Sequence, residues 1–151
     1  MRDFQDKNVS PFIVKSIIYV GLKTPLYDHL RNWEFVVLED KNDKEEALQF
    51  VMESIGAQLD ILDRTLVDGT SQKKMYDYAM PRQYSMLYNA SLVILPFFKA
   101  TPELMNPSCV SSFNPISSAW CVIENIFLAA TAEGFACSMR IPVGEEGVKV
   151  A

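Results

Sequence analysis

Hydrophobic positions along the chain follow a helical rhythm in some stretches and an alternating one in others, and one long run is apolar almost without interruption. From Ala119 to Ala132 only Glu124, Asn125 and Thr131 are polar, so no polar stripe separates an inner from an outer face. A helix of that kind belongs inside an assembly. Pro115 after Asn114 supplies a first-turn signal, and Gly134 supplies the left-handed residue that closes a helix. The run is too short and too well capped to read as a membrane span. It leads into an apolar stretch over Phe135–Ile141 that predicts a strand, so Ile116 to Pro142 is the segment around which the rest is arranged. One domain of 151 residues has limited core of its own. A helix apolar on every face therefore predicts that a second copy covers part of it, in a homodimer with this helix at the interface.

Ser10-Pro11 predicts a capped helix start, with Phe12, Ile13, Ile17, Ile18 and Leu22 on one side and a stop between Gly21 and Pro25. Tyr27 to Asn32 reads as a polar loop, followed by a strand over Trp33–Leu38 with Trp33 and Phe35 facing the core and Glu34 opposite. Asp43 to Gln58 carries Ala47, Leu48, Val51 and Ile55 at helical spacing behind an acidic first turn, which predicts one amphipathic helix. Leu59 to Tyr88, broken at Asp68-Gly69 and Pro81, predicts short helices. The run over Ser91–Phe98 predicts a strand buried on both faces, with Pro96 placing its far half at an edge. A Pro-, Ser- and Asn-rich loop over Thr101–Pro115 follows, and Gly144 to Val150 opens a further helix. Helices around a small mixed sheet define an α+β fold in a single domain over residues 1–151.

Composition narrows the function classes. A net charge of -5 provides no basic face for a phosphate backbone, which argues against nucleic acid. The three cysteines, Cys109, Cys121 and Cys137, lack metal or redox spacing and read as buried thiols of a cytoplasmic protein. The N-terminus lacks the apolar core of a secretion signal, and no membrane partner is expected. His29 is the single histidine, so a multi-histidine metal site is excluded, and neither a P-loop nor a dinucleotide-binding glycine pattern occurs.

Three stretches together resemble the flavin-dependent nitroreductase family. Arg2-Asp3-Phe4-Gln5-Asp6-Lys7-Asn8-Val9 looks like the tail of its arginine-serine-arginine opening motif, with asparagine where proline is common. Pro25-Leu26-Tyr27-Asp28-His29-Leu30-Arg31-Asn32-Trp33-Glu34-Phe35-Val36-Val37 is similar to its proline-started loop leading to a tryptophan and an apolar strand. Glu124-Asn125 through Glu133-Gly134-Phe135 matches its central helix, which ends in glycine before the segment beside the flavin ring.

The resemblance implies a homodimer with FMN at the subunit interface, and NAD(P)H as electron donor to a nitroaromatic, quinone or similar acceptor. Such an oxidoreductase needs no catalytic side chain, because the cofactor carries the chemistry. The positions it implies for cofactor binding are Arg2, Pro25, Tyr27, His29, Gln83, Ser138, Arg140 and Ile141. Arg140 is the most informative of them, since an arginine between Met139 and Ile141 must find an anion or a carbonyl edge. Tyr27 and His29 stand where the family commonly has serine and asparagine. The family's motif begins upstream of its last arginine, and basic residues that reach the phosphate follow the region matched by Ala151. The expectation is therefore a chain shortened at both ends, with both halves of its phosphate clamp in question. Two alternatives stay open at this point: a non-enzymatic relative with weakened or lost FMN binding, and an interaction domain using the tyrosine- and methionine-rich stretch Met75–Tyr88 as its surface.

Overall fold

The computed structural model describes residues 4–5, 7–27, 33–99, 104 and 106–142. In chain order its elements are α1 (Pro11–Gly21), β1 (Trp33–Leu38), α2 (Lys41–Leu48), α3 (Val51–Thr65), α4 (Ser71–Ala79), α5 (Gln83–Tyr88), β2 (Val93–Phe98), a 3-10 turn (Val110–Phe113) and α6 (Asn114–Ala132). Among the described residues β1 and β2 form one two-stranded sheet, and the class is α+β. The chain folds into two compact units. The first comprises Met1–Lys7, Leu38–Val93 and Ser138–Ala151; the second comprises Asn8–Val37 and Ile94–Cys137.

In the second unit α1 packs on α6. Ala119, Val122, Ile126 and Ala130 recur at helical spacing on the buried face of α6, and Ile17 of α1 meets the last three of them. Trp33, Phe35, Ile94 and Phe135 pack around this cluster. The Trp33 ring stacks on Phe35 at 6.2 Å and meets Phe98 at 5.4 Å. Strand β1 alternates as predicted, with Glu34 exposed between the two partly buried rings. Gly21 lets α1 approach closely: a Cβ there would lie 2.7 Å from Ile126 Cγ1 and 3.3 Å from the Val122 carbonyl oxygen. Beside this contact the buried Thr24 donates to the Cys121 carbonyl at 3.5 Å and accepts from Asn125 Nδ2 at 2.6 Å. One polar residue in the apolar run of α6 is thereby satisfied inside the same unit.

In the first unit Leu48, Val51 and Ile55 form the core, packed against Leu59, Tyr84, Leu87 and Tyr88. Lys44 is only 2% exposed. Its ammonium donates to the carbonyls of Ala90 (2.7 Å) and Ser91 (3.2 Å), where the chain leaves α5. Lys73 bridges Asp63 of α3 and Asp77 of α4, and these partners raise its pKa above the ordinary lysine value. The N-terminal stretch is tied down at Ser91, whose hydroxyl donates to the Gln5 carbonyl and accepts the Lys7 N–H.

Several predicted elements differ. The single helix over Asp43–Gln58 is two helices, because the chain turns at Gln49–Phe50, where the Gln49 N–H reaches back only three residues, to Glu46. The helical spacing continued across the turn because Leu48, Val51 and Ile55 all enter one core. Ser10 makes no side-chain cap, although Pro11 does occupy the first turn. Gly134 closes α6 as predicted, at φ 82°. Residues Phe135 to Ile141 form no strand: no other strand pairs them among the described residues, although their exposure alternates over much of the stretch as a strand edge would. Strand β2 is partly exposed along most of its length rather than buried on both faces, since one two-stranded sheet leaves it little cover.

Helix α6 is apolar all round in sequence yet buried on one face only. Its outward positions include Trp120 (43% exposed), Cys121 and Leu128 (58% exposed). Together with the 3-10 turn, Val110–Ala132 is long and apolar enough to cross a membrane by length and composition, so shortness does not exclude a span; packing of its inner face in a core accounts for that half of its hydropathy. The predicted thiol burial fails at two positions. Cys109 and Cys121 are exposed, one at the start of the 3-10 turn and one on the outward face of α6, and Cys137 is partly buried. The helix predicted over Gly144–Val150 lies outside the described residues, as does most of the Tyr27–Asn32 loop.

Candidate functional site

In the first unit the site is built on α3, α5 and the segment after α6. The Ser138 hydroxyl donates to the sulfur of the buried Met86 on α5 at 3.1 Å. Two residues further along the segment, Arg140 lies against α3: its Nη2 donates to Ser54 Oγ at 3.2 Å, and its Nη1 donates to the Ile141 carbonyl at 3.0 Å. The guanidinium is therefore held at two points. Ile141 itself is 55% exposed. Gln83, expected in a loop before the strand, is the first residue of α5. Its Nε2 donates to Met80 Sδ at 3.1 Å, and its Oε1 is buried with no hydrogen-bond partner among the described residues. A buried carbonyl oxygen without a donor is an acceptor awaiting a ligand N–H or a water.

In the second unit Pro25 and Tyr27 follow α1 directly. Leu26 between them enters the core, whereas Pro25 and Tyr27 are exposed. The Tyr27 N–H donates to Ser118 Oγ at 3.0 Å, and Ser118 in turn donates to the Asn114 carbonyl at 3.0 Å, so the backbone here is pinned to the first turns of α6. Arg2 and His29 lie outside the described residues. Of the eight positions singled out from the sequence, Gln83, Ser138, Arg140 and Ile141 share the first unit, and Pro25 and Tyr27 share the second.

Sequence reasoning missed Ser54, Gln58 and Met86. Ser54 and Gln58 sit one turn apart on α3, beside the buried Val51 and Ile55, and Gln58 Nε2 is buried with no partner among the described residues. The available signal was two uncharged polar residues spaced i,i+4 along the border of an apolar stripe. Such a border usually faces water, and at Ser54 only the bond from Arg140 reveals otherwise.

Of the thiols, Cys109 stands apart. Hydrogen bonds from Ser111 (3.0 Å), Ser112 and Ser108 lower its pKa to about 7. Burial pushes the Cys137 thiol up.

The fold is that of FMN flavoproteins in the nitroreductase class. A sequence profile described as "Nitroreductase family" matches residues 1–145, and the chain belongs to the nitroreductase family. Solved structures with the same fold include a BluB-like flavoprotein from Clostridium difficile 630, 22% identical, with a TM-score of 0.64 over 88% of this chain and 65% of that one. An oxidized iodotyrosine deiodinase bound to FMN and 3-iodo-L-tyrosine is 16% identical, with a TM-score of 0.71 over 99% of this chain and 73% of that one. A nitroreductase with bound FMN from Desulfitobacterium hafniense DCB-2 is 17% identical, with a TM-score of 0.59 over 88% of this chain and 60% of that one. The chain thus spans less than two thirds of the first and the third of these proteins. No curated protein sequence matches it.

Proposed function

We propose that this protein is an FMN-dependent oxidoreductase, passing electrons from NAD(P)H to a nitroaromatic, quinone or similar acceptor, and that it works as a cytoplasmic homodimer. The observation that carries this reading is the family match over residues 1–145. The residues present fit the ring of the cofactor. Gln83 Oε1 is a buried acceptor that a ring N–H would satisfy, and the Arg140 guanidinium is a partly buried cation held by Ser54 and a main-chain carbonyl. Ser138 and Ile141 flank that cation within the first unit, and Arg2, Pro25, Tyr27 and His29 are the further positions that the family resemblance implies. FMN, when bound, supplies the hydride chemistry. The protein's part is to bind and orient the ring, to place positive charge where negative charge develops, and to keep water away from it.

The outward face of α6 supports the dimer. Trp120 and Leu128 leave an apolar stripe exposed on a helix already satisfied on its other side, which is the composition of an interface core.

Titration with FMN, followed by flavin fluorescence, tests the cofactor. The expected result is saturable binding, with the bound flavin bleached by NADH or NADPH under anaerobic conditions and recoloured by a quinone or nitroaromatic. A chain that leaves FMN fluorescence unchanged refutes the enzyme reading. Binding without bleaching by either nucleotide refutes the NAD(P)H assignment alone.

A further inference from the structure

We infer that Ser54 is a positioning residue for Arg140 and, through it, sets the electrostatics at the flavin. The inference rests on the proposed FMN site and names a residue on α3 that neither the family resemblance nor the sequence pattern singled out.

An arginine side chain carries substantial rotamer freedom, and an unrestrained guanidinium spreads its charge over a wide volume. Here Nη2 donates to Ser54 Oγ at 3.2 Å and Nη1 to the Ile141 carbonyl at 3.0 Å. The second bond lies within the segment itself, so it turns the guanidinium without anchoring it to the rest of the unit. The Ser54 bond ties the cation to a regular element, because α3 is held through the buried Val51 and Ile55 on either side of that serine. Ser54 is also placed unusually for a helix-interior serine. Such a hydroxyl ordinarily turns back to the carbonyl four residues earlier; at this position the hydroxyl oxygen accepts from across the packing instead. A cation fixed in this way acts on charge that develops during reduction without having to reorganise first. A serine-to-alanine change removes this bond to α3 while leaving the charge in the protein.

The test compares Ser54→Ala, Ser54→Thr and Arg140→Gln with the wild type, reading FMN affinity, the reduction potential of bound flavin and urea unfolding of the apoprotein. Ser54→Ala is expected to weaken FMN binding about fivefold, the scale of one lost hydrogen bond. It should also lower the potential in the same direction as Arg140→Gln, with an unfolding midpoint close to wild type. Ser54→Thr keeps the hydroxyl and should restore both binding and potential. If Arg140→Gln shifts the potential while Ser54→Ala does not, the positioning role is refuted and the cofactor site stands. A shift in unfolding alone makes Ser54 structural and equally refutes the role. A wild type that binds no FMN removes the cofactor reading and this inference together.

Discussion

Replacing Gly21 with alanine adds one methyl group where α1 ends against α6. Judged from helix propensity alone the change should be stabilising, by roughly 0.5–1 kcal/mol in a helix interior and less at a final residue. The structure reverses that sign. The new Cβ would sit 2.7 Å from Ile126 Cγ1, 3.1 Å from its Cδ1 and 3.3 Å from the Val122 carbonyl oxygen. Ile126 is β-branched and buried, so its side chain cannot swing away without leaving its rotamer, and the backbone oxygen limits a slide of the whole helix. Overpacking of this kind costs about 1–3 kcal/mol, which leaves a net loss of about 1–2 kcal/mol. In an Ile126→Ala background, already weaker by about 2–5 kcal/mol, the methyl enters vacated space and its cost should vanish. Urea unfolding of the four proteins of this cycle measures the coupling, expected at about 1–2 kcal/mol with unchanged m-values. A Gly21→Ala protein as stable as wild type, or a coupling below about 0.5 kcal/mol, refutes the close-approach argument.

Lys44→Met removes the ammonium that holds the Ala90 and Ser91 carbonyls, and should destabilise the protein by about 2–4 kcal/mol in chemical denaturation; a loss under about 1 kcal/mol contradicts the assigned role. On α6 the two faces separate folding from assembly. Ile126→Asp, at a position 7% exposed, should abolish the folded circular-dichroism signal, whereas Leu128→Asp, at 58%, should leave it intact and convert the dimer to a monomer in sedimentation; a wild type that sediments as a monomer ends the dimer proposal. The Cys109 thiol reacts as its thiolate, so its alkylation rate should rise with pH through a midpoint near 7 rather than the ordinary 9.0, and Ser111→Ala should move that midpoint upward. A midpoint of 9.0 in the wild type would show that the hydroxyls do not hold the thiolate.

Long-period features were legible in the sequence because a single chemical cause fixes each of them. Pro115 and Gly134 bracket α6 through φ preferences that no tertiary contact needs to enforce, and the alternation of Trp33, Glu34 and Phe35 survives as alternating burial. The turn at Gln49–Phe50 was invisible, since Leu48 and Val51 keep the same spacing whether the helix bends or not. The strand expected over Phe135–Ile141 failed for another reason: apolar character is local, whereas a strand exists only with a partner to take its hydrogen bonds. At the candidate site Arg140 was legible because a charge amid apolar neighbours demands an explanation. Ser54 was not, because a serine beside a helix stripe demands none, and its importance arises from a residue 86 positions away.

The pairing of α1 with α6 also governs the order in which the molecule can be made. Thr24 meets Asn125 across 101 residues of chain and Tyr27 meets Ser118 across 91, whereas the apolar core shared by α2, α3 and α5 is drawn from Leu48 to Tyr88. A ribosome releases α1 long before α6, and during that interval Ile17 and Val14 have no core to enter. Closing so large a loop is slow, because its entropy is lost before the first tertiary contact forms. The helices between them can meanwhile begin to assemble on the nascent chain, while α1 still has its apolar face exposed. That waiting helix is the segment a holdase chaperone would cover, and it is where aggregation would begin when translation stalls before Asn114.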